Sequence, residues 1–230
     1  MQAKADPSDL PFLRGGHDKP LVKICGITNP ADAEAAVECG ADALGFNVFS
    51  GSKRKIELAA ARAWINRLPA GVTRVLVGVN PSLEQALEWI ADRTFHAVQL
   101  HGTTWHPFVS RLVEARKPLI AAIAVRDNHS VAELDWFSGF AFLFDGYRAG
   151  VFGGTGESFS WDILRGQRVL KPVILAGGLT PENVARAIRI VNPYAVDVAS
   201  GVESRPGKKD RGKLRDFIAA AKEMKSTRSA

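Results

Sequence analysis

Cysteine is nearly absent, with only Cys25 and Cys39 in 230 residues. Two such thiols read as free, which argues against a disulfide-stapled secreted scaffold and for the cytoplasm. No apolar run approaches the ~20 residues needed to span a bilayer, so no membrane partner is expected. The first nineteen residues are polar and broken by Pro and Gly, unlike a secretory leader, and residues 1–19 read as a flexible N-terminal extension. No histidine has metal-ligand spacing, and no G-x-G-x-x-G follows the first strand pattern. The expected cofactor list is therefore empty, with neither a metal nor a redox group.

Positive charge is the one excess. The formal net charge is +6 and the isoelectric point is near 9.5. From Lys208 to Ala230, eight Lys/Arg stand against three Asp/Glu, a net of +5, so one terminal segment holds nearly all of it. A basic terminal helix is ordinarily a solvated face, and nucleic acid is not expected as a partner.

What the chain does have is alternation. Eight short β-branched runs, LVKIC, DALGF, TRVLVGV, HAVQL, PLIAAIAV, FAFLFD, PVILA and YAVDVAS, are separated by amphipathic stretches such as PADAEAAVECG, PSLEQALEWIAD and TPENVARAIRIV. Two of these helices are expected to open at a Pro after Asn, and the last at a Pro after a Thr N-cap. A strict βα alternation with eight strands predicts a parallel sheet closed on itself, a single-domain (β/α)8 barrel over residues 20–230. A doubly wound open sheet is the alternative. In a barrel, working groups sit at the C-terminal strand ends, here Cys25, Asn47, Asn80, His101, Arg126, Asp145, Gly177, Gly178, Ser200 and Gly201.

Side chains alternate along a strand, so Lys23 and Cys25 share one face and Val22 and Ile24 the other. The apolar pair suits the layer under the helices, which sends an ammonium and a thiol into the lumen. Asp145 shares a face with Ala141 and Leu143, opposite Phe140, Phe142 and Phe144, and so looks across the lumen toward strand one. A buried Lys23 needs a counter-charge, and Asp197 on neighbouring strand eight is the expected partner. A cation beside Cys25 would favour its thiolate, making it a base near neutral pH. His101 shares a face with Gln99 at the mouth of strand four.

Glycine clusters form the second constellation: GVFGGTGESF after strand six, AGGL after strand seven and SGVES after strand eight. Glycines let backbone N–H groups approach an anion, and the ends of strands seven and eight are the usual phosphate cradle of a barrel. Arg54, in the loop after strand two, is placed to grip a carboxylate in a bidentate way.

VKICGIT, GADALGF, SKR, VQLHG, FGGTGESFSW, LAGGLTPENV and VDVASGVESRPGKKD occur in this order from residue 21 to about 224, and together they resemble the phosphoribosylanthranilate isomerase family. The resemblance implies a barrel enzyme of tryptophan biosynthesis that performs an Amadori rearrangement without metal or redox cofactor. It implies Cys25 as general base and Asp145 as general acid. The substrate-binding set it suggests is Arg54 for the anthranilate carboxylate, Gly154, Thr155, Gly156, Gly177, Gly178, Ser200 and Gly201 on the phosphate side, with Gln99 and Asp197 in the lumen. The partner is then a small phosphosugar, and either a monomer or a homodimer fits. Ser50, Lys53 and Lys55 depart from the family pattern, which often has Pro before the loop arginine and an aromatic after it.

Overall fold

A computed structural model of the chain describes residues 10–14, 17–132, 134, 136–146, 160–167 and 169–225. Each apolar run becomes a parallel strand, and the eight close into one barrel in sequence order. They are β1 (Leu21–Cys25), β2 (Ala43–Asn47), β3 (Thr73–Val79), β4 (Ala97–His101), β5 (Leu119–Val125), β6 (Ala141–Gly146), β7 (Val173–Leu175) and β8 (Ala195–Val198), with β8 pairing back onto β1.

The helices are α1 (Pro11–Arg14), α2 (Pro30–Glu38), α3 (Leu58–Ile65), α4 (Leu83–Ala91), α5 (Val109–Glu114), α6 (Val184–Val191) and α7 (Arg211–Lys222). The Asn29 side chain caps α2 by accepting from the Asp32 amide, with Pro30 in the first turn as expected. Helix α4 starts later than its Pro81 suggests, because Ser82 and Gln85 form a reciprocal capping box. Helix α6 starts at Val184, beyond the turn opened by Thr180. After β8 come a 3-10 turn (Ser200–Val202) and a small hairpin of β9 (Glu203–Arg205) and β10 (Lys208–Lys209).

The strict alternation is incomplete in its helices. Among the described residues, 3-10 turns at Asn128–Val131 and Trp161–Leu164 stand after β5 and before β7 where full helices were expected. In the first, Asp127 accepts from the Ser130 amide while Ser130 Oγ accepts from the Arg126 amide. These local bonds satisfy the backbone within one turn, so it ends there.

Two apolar layers follow from alternation. Val22, Ile24, Leu44, Phe46, Phe142 and Phe144 pack outward under the helices, and Ala43, Val75, Ile120, Leu143 and Ile174 fill the lumen. The first residues of β2, β4, β6 and β8 are all alanine, and these small side chains leave the barrel floor open. Phe12 of α1, with no exposed surface, belongs to the same inner cluster. Its ring meets Tyr194 edge-on at 6.3 Å, and Tyr194 Oη donates to the Phe12 carbonyl at 3.0 Å. The expectation of a flexible extension is thus corrected over residues 10–14: an aromatic side chain following a polar leader finds an apolar floor, which a reading of the leader by itself does not reveal.

Phe12→Ala is expected to destabilise the barrel by about 3 kcal/mol, the ordinary cost of emptying a phenylalanine site. Urea unfolding measures it, and a change below about 0.5 kcal/mol, the scale of surface substitutions, would show that the ring contributes nothing to the floor.

Candidate active site

The β1–β8 register sets Lys23 against Asp197, and the Lys23 ammonium donates to Asp197 Oδ1 at 2.7 Å. The lysine has no exposed surface, so the expected pair is formed in full burial. Burial pushes the ammonium down, but the Asp197 carboxylate and the Cys25 sulfur together raise it, and the net shift of Lys23 is upward.

Cys25 lies in the inner cluster at the end of β1. It fits there because its partner on β2 is Gly45. A Cβ at that glycine would come within 2.8 Å of Cys25 Sγ and 3.1 Å of Lys23 Nζ. Lys23 does ease ionisation of the thiol, as expected, but the expectation of a base ionised near neutral pH is corrected. Burial pushes the Cys25 thiol up, Lys23 pulls against it, Asp197 adds to the rise, the Lys209 ammonium pulls down again, and the net shift is upward. An ammonium already paired with a carboxylate offers little net field to a third group, whereas desolvation acts on the thiolate in full. Cys25 therefore rests as a thiol.

Asp145, also on the inner face, closes β6 near the mouth. Burial first, and the Asp197 carboxylate second, push its carboxyl up to about 7, against the Gly146 amide and Lys23. That amide donates to Asp145 Oδ1 at 2.8 Å. Asp145 borders two cavities. The larger, about 510 Å³, is also lined by His101, Ala122, Arg126 and His129. The smaller, about 30 Å³, extends to Gly177, Gly178, Asp197 and Ser200. Burial, then Lys23, hold the His101 imidazole down at about 4, so it is neutral. Its Nε2 lies 2.7 Å from Gln99 Nε2, and Gln99 Oε1 has no hydrogen-bond partner among the described residues.

On the β7–β8 side, Gly177 adopts φ +84°, and a Cβ there would stand 2.6 Å from the Gly146 nitrogen. Glycine lets this loop fold directly against the acid. Gly178 follows it, and Ser200 and Gly201 lie in the 3-10 turn after β8. Gly154, Thr155 and Gly156 lie outside the described residues.

Arg54 is already engaged. Its Nε donates to Glu203 Oε1 at 2.8 Å and its Nη2 to Glu203 Oε2 at 2.7 Å. A guanidinium has five N–H donors, so this fork leaves the two Nη1 donors outside the Glu203 pair. Sequence reasoning passed over Gly45, Glu203 and Lys209. A glycine inside a strand pattern is a signal of close approach and could have flagged Gly45. Glu203 carries no local signal, because Arg54 is 149 residues away.

A carboxyl poised near neutrality and a thiol, both turned inward at strand ends, are equipped to move protons on a ligand. On a closed eight-stranded barrel they define the class of proton-transferring barrel enzymes. Comparison with known proteins makes this particular. The family model for N-(5'phosphoribosyl)anthranilate (PRA) isomerase matches residues 22–220. The N-(5'-phosphoribosyl)anthranilate isomerase of Pelobacter propionicus is 42% identical over 205 residues, spanning 89% of this chain and 97% of its own. That of Trichlorobacter lovleyi is 46% identical over 207 residues, spanning 88% and 98%. Among solved structures, phosphoribosyl anthranilate isomerase from Thermotoga maritima superposes with TM-score 0.81 at 40% identity, covering 89% of this chain and all of that one (100%). A phosphoribosyl anthranilate isomerase in complex with reduced 1-(o-carboxyphenylamino)-1-deoxyribulose 5-phosphate superposes at 0.76 and 37% identity, with coverage of 89% and 100%. The chain belongs to the N-(5'-phosphoribosyl)anthranilate isomerase family.

Lys23→Met leaves Asp197 buried without its counter-charge and is expected to cost about 3–5 kcal/mol in urea unfolding. The double variant Lys23→Met/Asp197→Leu is expected to recover much of that loss. A double variant as unstable as the single one would show that charge pairing is not what matters there.

Proposed function

We propose that the chain converts N-(5-phosphoribosyl)anthranilate to 1-(2-carboxyphenylamino)-1-deoxyribulose 5-phosphate, an Amadori rearrangement in tryptophan biosynthesis, with Asp145 as general acid and Cys25 as general base. The observation that carries this reading is the Asp145 carboxyl pushed up to about 7 on the inner face of a barrel whose lumen also holds the Cys25 thiol. Ring opening needs a proton on the furanose oxygen as the C1–O bond breaks, and a carboxyl still partly protonated at neutral pH supplies it. The nitrogen lone pair then forms the C1=N bond, giving an iminium cation.

That cation resolves the difficulty posed by the raised thiol. Free of ligand, Cys25 gains little from the neutralised Lys23–Asp197 pair. An iminium formed in the lumen, with the Asp145 carboxylate left behind by the proton transfer, brings positive charge onto the substrate carbon skeleton itself, which favours the thiolate and acidifies the sugar C2–H together. Once its own proton has passed to water at the mouth, Cys25 as thiolate takes the C2 proton, the electron pair moves into C1=C2 and neutralises the nitrogen, and the resulting enolamine tautomerises to the ketone. Arg54, through its Nη1 edge, is assigned to the anthranilate carboxylate. Gly177, Gly178, Ser200 and Gly201, with the Gly154–Thr155–Gly156 loop, are assigned to the phosphate, and Gln99 Oε1 to a sugar hydroxyl. Asp197 acts beneath them by tuning both proton-transfer groups. No helix among the described residues is long and apolar enough to cross a membrane, and both cysteines are free, which supports a cytoplasmic assignment.

Cys25→Ala and Asp145→Asn are each expected to lower kcat by about 10²–10⁴, read from the fluorescence decay of phosphoribosylanthranilate, while the reduced product analogue still binds. Undiminished turnover in either variant would refute its assigned role. Asp145 must be protonated to act, so with its carboxyl raised to about 7 the wild-type kcat/KM is expected to fall as pH climbs through that value. A profile flat from pH 6 to 9, which brackets that pKa, would contradict Asp145 as the acid.

A further inference from the structure

The hairpin after β8 brings a second buried ammonium to the base. Lys209 has a side chain only 1% exposed, and Nζ spends three hydrogen bonds on three different parts of the site. It donates to the carbonyl of Cys25 at 2.6 Å, to the carbonyl of Ala199 at 3.0 Å and to Glu203 Oε1 at 3.1 Å. Three donors is the full capacity of an ammonium, so its geometry is determined from three directions. Its own backbone is tied as well, since the Lys209 amide donates to Asp32 Oδ2 at 2.8 Å at the start of α2.

Glu203 joins this ammonium to Arg54. Its Oε1 accepts from both Lys209 Nζ and Arg54 Nε, and its Oε2 accepts from Arg54 Nη2. The group Arg54–Glu203–Lys209 therefore carries one net positive charge, unlike the neutral Lys23–Asp197 pair. The backbone between the two arms is equally constrained. Gly26, immediately after Cys25, adopts φ +73°, its amide donates to the Gly45 carbonyl at 2.9 Å, and a Cβ there would meet Arg54 Cδ at 2.4 Å. Arg54 thus packs closely on Gly26, the residue after the carbonyl that Lys209 holds.

We propose that Lys209 is a positioning residue for the isomerisation: its buried ammonium holds the Cys25 carbonyl and, through Glu203, the Arg54 guanidinium in one register, so that the grip on the ligand carboxylate and the removal of its C2 proton belong to one rigid unit. This rests on the function proposed above. Lys209 bonds the Cys25 backbone and not its sulfur, so it acts through the placement of Cys25 and Arg54, with its charge also pulling the thiol down. A hairpin with no catalytic group of its own thereby joins the β1 and β2 sides of the mouth to the β8 side at Ala199.

The test is a double-mutant cycle on the whole enzyme, with kcat and KM for phosphoribosylanthranilate expressed per folded molecule from the unfolding transition. Lys209→Met is expected to lower kcat at least about tenfold, since a buried charge-assisted contact to the base is lost. Combined with Arg54→Met, it is expected to lose much less than the product of the two single losses, because either change breaks the same unit. A purely structural Lys209 would lower the unfolding midpoint, leave kcat per folded molecule within about twofold, and give losses that multiply as they do for independent sites. Either a retained kcat or multiplicative losses would overturn the proposal. If Lys209→Met does not fold, Glu203→Gln carries the test. It keeps the volume and one acceptor while removing the charge between Lys209 and Arg54, and KM is expected to rise about tenfold or more. A KM and kcat both within about twofold of wild type, the scale of a lost surface contact, would overturn it in that case. A wild-type chain with no isomerase activity at all would sink the functional reading and this proposal together. An active wild type with an unaffected kcat in Lys209→Met sinks only the proposal.

Discussion

The buried ion pair between Lys23 and Asp197 is the constraint around which the mouth of the barrel is arranged. A closed barrel with a filled interior has little water to solvate charge, so a lumen lysine persists only with a counter-ion at contact distance, here 2.7 Å. The neutrality of that pair shapes its surroundings unevenly. Asp197 contributes to the rise of Asp145 and of Cys25, and Lys23 opposes both and helps keep His101 uncharged. Three titratable groups at three strand ends thus take their protonation states partly from one contact.

The two proton-transfer groups rest protonated or nearly so, and this is compatible with acid–base chemistry because the ligand itself alters the field. The acid acts first and creates positive charge, and that charge lowers the cost of ionising the base. A thiol ionised beforehand would need more positive field than burial takes away; the lumen pair is neutral, and Lys209, although it pulls the thiol down, does not outweigh burial. The net positive group at this end of the barrel, Arg54–Glu203–Lys209, sits where an anionic ligand group would complete its balance. Charge is cancelled where no ligand reaches and left unbalanced where one is expected.

Space is allotted as tightly as charge. Gly45 gives the thiol its volume, and Gly177 brings the β7 loop onto the acid. At the opposite end, alanines at the first positions of four strands leave a floor that Phe12 closes. The same alternation of faces produces the floor, the ion pair and the acid–base pair, because every second residue of each strand enters the lumen.

Much of this was legible in the residues themselves. Period-two alternation placed Lys23, Cys25, Gln99, Asp145 and Asp197 inward, and the order of eight short apolar runs indicated a closed parallel sheet. Alternation is a local property of the backbone, and a one-dimensional pattern is enough to carry it. The direction of the thiol's shift, the engagement of Arg54 by Glu203, the reach of Lys209 to the Cys25 carbonyl and the seat of Phe12 were not legible. Each depends on distances between groups far apart along the chain, and on how completely water is excluded around them. Face and order are properties of sequence, whereas net field and contact exist only once the barrel has closed.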